Sequence, residues 1–142
     1  MYQVITGRQF PEKVVPLIDG AKHNIKIVIF DWRWYPNDSS SPAQLFNQAF
    51  VRACRRGVKV QVICNISDVF KFLENAGAVC RQTISKNMVH AKMMVIDDDF
   101  VVIGSHNYTQ NAFTMNRELS VIISNENTFC DFNNFFNTLW LL

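Results

Sequence analysis

One segment of the chain combines two β-branched runs with a fixed set of polar residues, and it constrains the fold more than any other part of the sequence. The runs Val89–Ile96 and Val101–Gly104 flank an acidic triplet and are predicted to form a β-hairpin. Alternation along the first strand then puts His90 and Lys92 on one face of the sheet. A neutral imidazole beside a fixed cation is a pairing suited to nucleophilic attack on a phosphodiester without a metal.

The second run leads into the sequence Gly104-Ser105-His106-Asn107. Gly104 is expected to let the backbone approach a ligand closely, because it has no Cβ. Ser105 and Asn107 carry groups that can form hydrogen bonds with phosphate oxygens. His106 alternates away from Ser105, so we expect it to be structural or exposed.

The full spacing is H-x-K, four residues, D, six residues, then G-S-x-N, where D is Asp97. It resembles the HKD signature of the phospholipase D superfamily, whose members cleave or exchange phosphodiesters through a phosphohistidine intermediate. The downstream Asn116-Arg117-Glu118 resembles the Asn-x-Glu element of the same family. The resemblance covers essentially the whole chain, and its motifs are specific because every fixed position of the signature and a downstream carboxylate match.

The resemblance implies a role for each matching residue. His90 would be the nucleophile in one subunit and the proton donor, then base, in the other. Glu118 would accept a hydrogen bond from the other ring nitrogen of His90. Asp97 and Gly104 would be structural, and the phosphate oxygens would be held by Lys92, Ser105 and Asn107.

One copy of the signature is present, whereas full-length phospholipase D enzymes carry two in one chain. The resemblance therefore implies a symmetric homodimer in which each subunit supplies His90. The small bacterial endonuclease branch of the superfamily is built in this way. Neither a cofactor nor a metal is expected, and the consecutive acids at 97 to 99 are interpreted as a solvated turn.

Composition places weaker limits on function. At 142 residues the chain is expected to form a single domain, and its 49% hydrophobic and 18% charged residues suit a compact protein. The net charge of +2 is compatible with a polyanionic partner without requiring one. The four cysteines are spread out and are expected to be buried, reduced thiols.

The first residues lack a basic region followed by an adequate apolar run, so no signal peptide is expected. No run of about 18 apolar residues exists, so no membrane span or stable membrane insertion is expected. These features favour a cytoplasmic protein.

The order of predicted elements is typical of an α/β fold with a mixed sheet flanked by helices on both faces. Strands are predicted at Val4–Thr6, Ile25–Phe30, Val58–Cys64, Ala78–Gln82, Val89–Ile96, Val101–Gly104 and Leu119–Ser124. Helices are predicted at Pro11–Ala21, Pro42–Arg56, Ser67–Asn75 and Asn127–Leu141.

Candidate substrate contacts lie outside the signature. Trp32, Arg33 and Trp34 follow a strand, where ligand sites of α/β sheets usually open. These aromatics either stack on the bases of a single strand or pack in a dimer interface. Tyr108 either lines the cleft or packs inside, and Arg117 either reaches substrate or pairs at the surface.

Three functions are compatible with these features. The leading hypothesis is a metal-independent nuclease that hydrolyses DNA or RNA. A lipid phosphodiesterase acting on phosphatidyl or cardiolipin head groups is the second. A non-catalytic nucleic-acid-binding module is the third, and the intact His90, Lys92 and Glu118 argue against it.

Overall fold

A computed structural model describes residues 1–83, 86–124 and 129–142. The strands of these residues are β1 (Tyr2–Thr6), β2 (Asn24–Trp32), β3 (Lys59–Ser67), β4 (Val79–Gln82), β5 (Met93–Ile96), β6 (Phe100–Gly104) and β7 (Leu119–Ser124). The helices are α1 (Gln9–Asp19), α2 (Pro42–Arg55), α3 (Phe70–Ala76), α4 (Gln110–Thr114) and α5 (Phe129–Trp140).

Within the described residues the strands form one seven-stranded sheet in the order β1-β7-β6-β5-β2-β3-β4. β2, β3 and β4 are parallel, while β5, β6, β7 and β1 pair antiparallel along the rest of the sheet. This arrangement brings the carboxyl ends of β2, β3 and β6 to the same side as the amino ends of β5 and β7. We call this side the His90 edge, because His90 lies there.

Helices cover both faces of the sheet, which confirms the predicted fold class. On one face α1, α2, α3 and α4 bury a core that includes Ile27, Phe46 and Phe113. On the other face α5 packs through Phe129 and Phe136 against β2, β3, β5 and β6. Ser41 caps α2, since its side chain accepts a hydrogen bond from the backbone N–H of Gln44.

The predicted elements are mostly present, and β7 has the predicted bounds. The bounds of the other elements shift by one to a few residues, so that Trp32 ends β2 instead of following it. Three further differences have identifiable causes. The strand of the signature begins at Met93 rather than Val89, because the preceding chain turns toward Asn65, whose Oδ1 accepts from the Val89 N–H at 3.3 Å. β3 continues to Ser67, so the following helix begins at Phe70. The short helix α4 was not predicted, since five residues carry no detectable periodicity.

The first residues of the predicted C-terminal helix, Asn127 and Thr128, lie outside the described residues, and α5 is described from Phe129. Of the four thiols, those of Cys54 and Cys64 are buried as expected. Cys80 is half-buried and Cys130 is exposed, so the expectation of burial is wrong for Cys130.

Candidate active site

His90 and Lys92 lie together at the His90 edge, just before β5. The Lys92 Nζ is 3.1 Å from His90 Nδ1 and 3.4 Å from Nε2, and it donates to the His90 carbonyl at 2.9 Å. The Phe30 ring packs beneath both, with its centroid 4.9 Å from the His90 ring and 5.8 Å from Nζ. The imidazole itself is exposed, so a substrate can reach it.

The charge of Lys92 is poorly hydrated. Partial burial lowers the pKa of its ammonium, and the nearby Glu118 carboxylate opposes that shift without cancelling it. A cation with less surrounding water attracts an anion more strongly, because the local dielectric is lower. Lys92 is therefore suited to hold the non-bridging oxygens of a phosphate beside His90.

Glu118 joins the ends of β6 and β7 by hydrogen bonds. Its Oε1 accepts from the Ser105 hydroxyl at 2.5 Å, and its Oε2 accepts from Asn116 Nδ2 at 3.1 Å. The Leu119 N–H in turn donates to Ser105 Oγ at 3.0 Å. The expected Glu118–His90 hydrogen bond is thus replaced by contacts with Ser105 and Asn116, and the Ser105 proton is directed at Glu118 rather than at an incoming phosphate.

Asn107 is held over the same edge by the end of β2. Its Oδ1 accepts from the Asp31 N–H at 3.2 Å, and the Tyr108 N–H donates to the Asp31 carbonyl at 3.0 Å. With its oxygen engaged, the Asn107 side chain has its NH₂ group to offer a phosphate. Sequence reasoning did not identify Asp31 or Phe30, although their position at the carboxyl end of β2 was a usable signal.

Gly104 is needed for strand packing, which agrees with the structural role that the resemblance implies for it. A Cβ at this position would lie 2.3 Å from Ser120 Oγ, 2.4 Å from Ser120 Cα and 2.6 Å from the Leu119 carbonyl oxygen. The missing side chain lets β6 approach β7, and this close approach brings Ser105 within reach of Glu118.

Asp97 lies at the opposite edge of the sheet from His90. Its carboxylate accepts hydrogen bonds from the backbone N–H groups of Lys22, His23 and Asn24 at 2.7, 2.7 and 2.9 Å. These bonds attach the end of β5 to the segment that enters β2. This geometry agrees with a structural role and is too remote for acid–base work at His90.

Trp32 and Tyr108 are both buried, which corrects the sequence interpretation of Trp32 and, for Tyr108, selects packing from the two possibilities. Trp32 is 0% exposed and Tyr108 is 1% exposed. Their rings meet edge to face, with centroids 5.1 Å apart, and Trp32 Nε1 donates to Asn47 Oδ1 at 2.6 Å. Both side chains point into the core under α2, where the indole N–H finds the partner that a buried Trp needs.

Arg33, Trp34 and Arg117 remain accessible. The Arg33 Nε donates to the Asp31 carboxylate at 2.6 Å, and its side chain is 41% exposed. The half-buried Trp34 stacks on Phe72, a residue that sequence reasoning did not select. Arg117 is exposed and lines an open groove with Arg8, next to Glu118.

His106 is buried, which agrees with a structural role, one of the two possibilities expected from the sequence. Its Nδ1 is 2.7 Å from Ser120 Oγ, and its Nε2 is 3.0 Å from the Gly7 carbonyl oxygen. These contacts connect the segment after β6 to β7 and to the turn after β1. The His106 ring therefore helps to fix the position of the segment that carries Ser105 and Asn107.

The described part of the chain has neither a metal-binding cluster nor a helix that could cross a membrane. No group of three or more His, Cys, Asp or Glu side chains is arranged to hold a metal ion there. None of the helices in residues 1–83, 86–124 and 129–142 has the length and apolar character to cross a membrane.

Comparison with protein families gives a match over most of the chain. Residues 14–140 match the family described as "Cardiolipin synthase, PLD-like domain". The chain belongs to the phospholipase D-like family. The match contains every position of the signature and Glu118.

Two curated relatives are similar to this member of the family. Mitochondrial cardiolipin hydrolase of Chlamydomonas reinhardtii is 32% identical over 92 residues, 60% of this chain and 41% of the relative. The 5'-3' exonuclease PLD4 of Mus musculus is 27% identical over 154 residues, 96% of this chain and 31% of the relative. The chain therefore spans less than half the length of each of these relatives.

Two solved structures have the same fold. NucT from Helicobacter pylori superposes with a TM-score of 0.80 and 18% identity, covering 99% of this chain and 96% of NucT. Nuc from Salmonella typhimurium, a phospholipase D family member, superposes with a TM-score of 0.79 and 23% identity, covering 99% of this chain and 95% of Nuc.

Proposed function

We propose that this phospholipase D-like protein is a metal-independent phosphodiesterase that hydrolyses nucleic acid through a covalent phosphohistidine on His90. The observation that carries the proposal is the contact of the exposed His90 imidazole with the Lys92 ammonium, 3.1 Å from Nδ1. The pair combines a nucleophile with the charge needed to stabilise the phosphorane-like transition state.

The chemistry requires two histidines in opposite protonation states. A ring nitrogen of His90 attacks phosphorus, forming a P–N bond while the bond to the leaving oxygen breaks and the partner subunit's His90 donates a proton to that oxygen. The same partner imidazole then removes a proton from water, whose oxygen attacks phosphorus and releases His90. Lys92 and the Asn107 NH₂ group stabilise the charge on the non-bridging oxygens throughout.

A second copy of the chain is the source that we propose for the second histidine. Apolar side chains are exposed on the sheet face that carries α5, from Leu119 beside Glu118 to Tyr2 at the far end of β1: Tyr2 is 73%, Val4 49% and Leu119 58% exposed. Alternation puts them on the face opposite the buried Ile5, and β1 and β7 are neighbours there. Covering this surface with its own copy would bury it and bring two His90 edges together.

A polymer substrate is favoured by cations that surround the site. Arg33, Arg117 and Arg8 are accessible near the His90 edge, in addition to Lys92. Several separated cations match the repeated phosphates of a nucleic acid strand, because such a strand presents a negative charge at each unit along its length.

Cleavage assays in EDTA test the proposal. Labelled single- and double-stranded DNA and RNA are incubated with the wild type, with His90→Ala and with His23→Ala, which removes an exposed histidine at the opposite edge of the sheet. We expect at least one polymer to be cut in EDTA, with loss of at least about 10³-fold in His90→Ala and wild-type rates in His23→Ala. Activity that persists in His90→Ala, or no cleavage of any polymer by a dimer, contradicts the proposal.

A lipid phosphodiester is the second candidate, and one feature favours it. A groove beside His90 is almost wholly apolar and is lined by Ala91, Met93, Ile103, Asp131, Phe132 and Phe135. An acyl chain would bury apolar surface in such a groove. Hydrolysis of cardiolipin vesicles in the same EDTA buffer, abolished by His90→Ala and without cleavage of any polymer, would select this function.

A further inference from the structure

The described residues include a second aromatic surface on the His90 edge, formed by the Trp34–Phe72 pair. The two rings are 4.3 Å apart between centroids and 4° from parallel. The groove around them, which we call the aromatic groove, is lined by these two rings together with Pro36, Ser67, Asp68, Phe70, Lys71 and Gln82. None of these residues takes part in the chemistry proposed for His90.

The pair lies at the margin of the core, and hydrogen bonding and packing help to position it. The backbone N–H of Trp34 donates to the Asp68 carboxylate at 2.6 Å, and the partly buried Trp34 packs against the core that α1 to α4 cover. Both rings are half-buried, so each has surface that water now covers. A fixed, partly exposed pair of flat rings is suited to stack a further flat ring at little cost in side-chain entropy.

The position of the aromatic groove connects it to the reacting phosphate. Trp34 follows Phe30, the residue beneath His90, by four positions. The distance between the Cα atoms of Phe30 and Trp34 is therefore at most about 14 Å. Arg33 lies on this path with a half-exposed guanidinium group. A chain that places one phosphate at His90 can therefore pass Arg33 and reach Trp34 within the next few units.

The polar groups of the aromatic groove, whose lining carries one cation (Lys71) and one carboxylate (Asp68), favour a nucleobase over an acyl chain. Lys71 Nζ lies 5.1 Å from the centroid of the Phe72 ring, which puts a cation beside the stacking surface. Gln82 and Ser67 contribute polar groups to the lining, and these can meet the edge of a base. An acyl chain would leave the cation and the amide without partners.

We propose that Trp34 and Phe72 form a base-stacking subsite that holds an unpaired nucleobase next to the phosphodiester cleaved at His90. The proposal rests on the proposed nuclease function and adds to it a preference for single-stranded nucleic acid, because a paired base is already stacked within its duplex. Stacking of a base on an aromatic side chain contributes about 1–3 kcal/mol, or about tenfold to 100-fold in affinity.

Comparing kcat/KM for two substrates in the same variant separates the effect of the subsite from that of the catalytic centre. In Trp34→Leu and Phe72→Leu we expect kcat/KM for a single-stranded oligonucleotide to fall about tenfold or more relative to that for an abasic oligonucleotide of the same length, which has no flat ring to stack. Trp34→Phe is expected to restore most of the ratio, since it keeps a flat ring. Leu45→Ala, which shortens an exposed apolar side chain on α2, is the matched control and should keep the wild-type ratio.

Binding to the inactive His90→Ala protein tests the subsite even if no polymer is cleaved. An oligonucleotide containing 2-aminopurine should lose fluorescence on binding, and adding Trp34→Leu should abolish that quenching. Three results would overturn the proposal. They are equal quenching with and without Trp34, unchanged kcat/KM ratios in properly folded variants, and conversion of the dimer to a monomer by Trp34→Leu. Loss of cardiolipin-vesicle binding with intact oligonucleotide binding would overturn it as well.

Discussion

At the residue scale, the Asp97 carboxylate makes the clearest electrostatic contribution to stability. Burial by itself raises its pKa, but the hydrogen bonds from Lys22, Asn24 and His23 together outweigh that effect and hold the pKa below its ordinary value. A carboxylate with a depressed pKa stabilises the fold above the pKa of the unfolded chain, about 3.9. That contribution is lost as the pH falls through the lower pKa of the folded state.

We therefore expect Asp97→Asn to lower the free energy of unfolding by about 2 kcal/mol at pH 7, because one amide oxygen replaces two charged acceptors. The difference from the wild type should shrink as the pH falls below about 4. Urea unfolding at pH 7 and at lower pH measures both effects. Asp99→Asn, in the same turn and exposed, is the matched control, and an equal loss in that variant would contradict the assignment.

At the element scale, the close approach of β6 and β7 determines both stability and site geometry. Gly104→Ala would place a methyl group against Ser120 and the Leu119 carbonyl, so the strands must separate. We expect the free energy of unfolding to fall by about 3 kcal/mol, as in other overpacked positions. Phosphodiesterase activity should fall with it, because separation breaks the Ser105–Glu118 hydrogen bond.

Gly20→Ala is the matched control for that substitution. Its Cβ would lie 3.3 Å from the nearest atom, the Pro16 carbonyl oxygen, so only a small shift is needed. Thermal or urea unfolding compares the two variants. A Gly104→Ala protein as stable as Gly20→Ala would show that the strands tolerate a wider separation.

The kind of interaction involved determines which parts of this arrangement could be predicted from the sequence. The sheet, its helices and the pairing of His90 with Lys92 follow from short-range patterns and a specific motif, and the strand β7 was predicted with its observed bounds. The Ser105–Glu118 contact, the burial of Trp32 and Tyr108 and the packing requirement at Gly104 depend on which strands become neighbours. That information is tertiary, and no local pattern contains it.

At the scale of the whole molecule, the proposed dimer makes a quantitative prediction. If each functional site needs two intact His90 side chains, a mixed dimer of wild type and His90→Ala is inactive. After subunit exchange, we expect activity per total protein to follow the square of the wild-type fraction. Proportionality to the wild-type fraction would mean that a single subunit suffices, and light scattering on the same samples would report whether dimers are present.

The Trp34–Phe72 pair and the residues around His90 come from different lengths of chain. Residues 90 to 118 contain the proposed nucleophile, its cation and the carboxylate, whereas Arg33, Trp34 and Phe72 come from residues 33 to 72. Substitutions at these three positions can therefore change which molecules the protein binds while the residues around His90 keep their chemistry. For protein engineering, this separation makes Arg33, Trp34 and Phe72, rather than the buried helix α2 between them, the positions to diversify in a library aimed at new substrates.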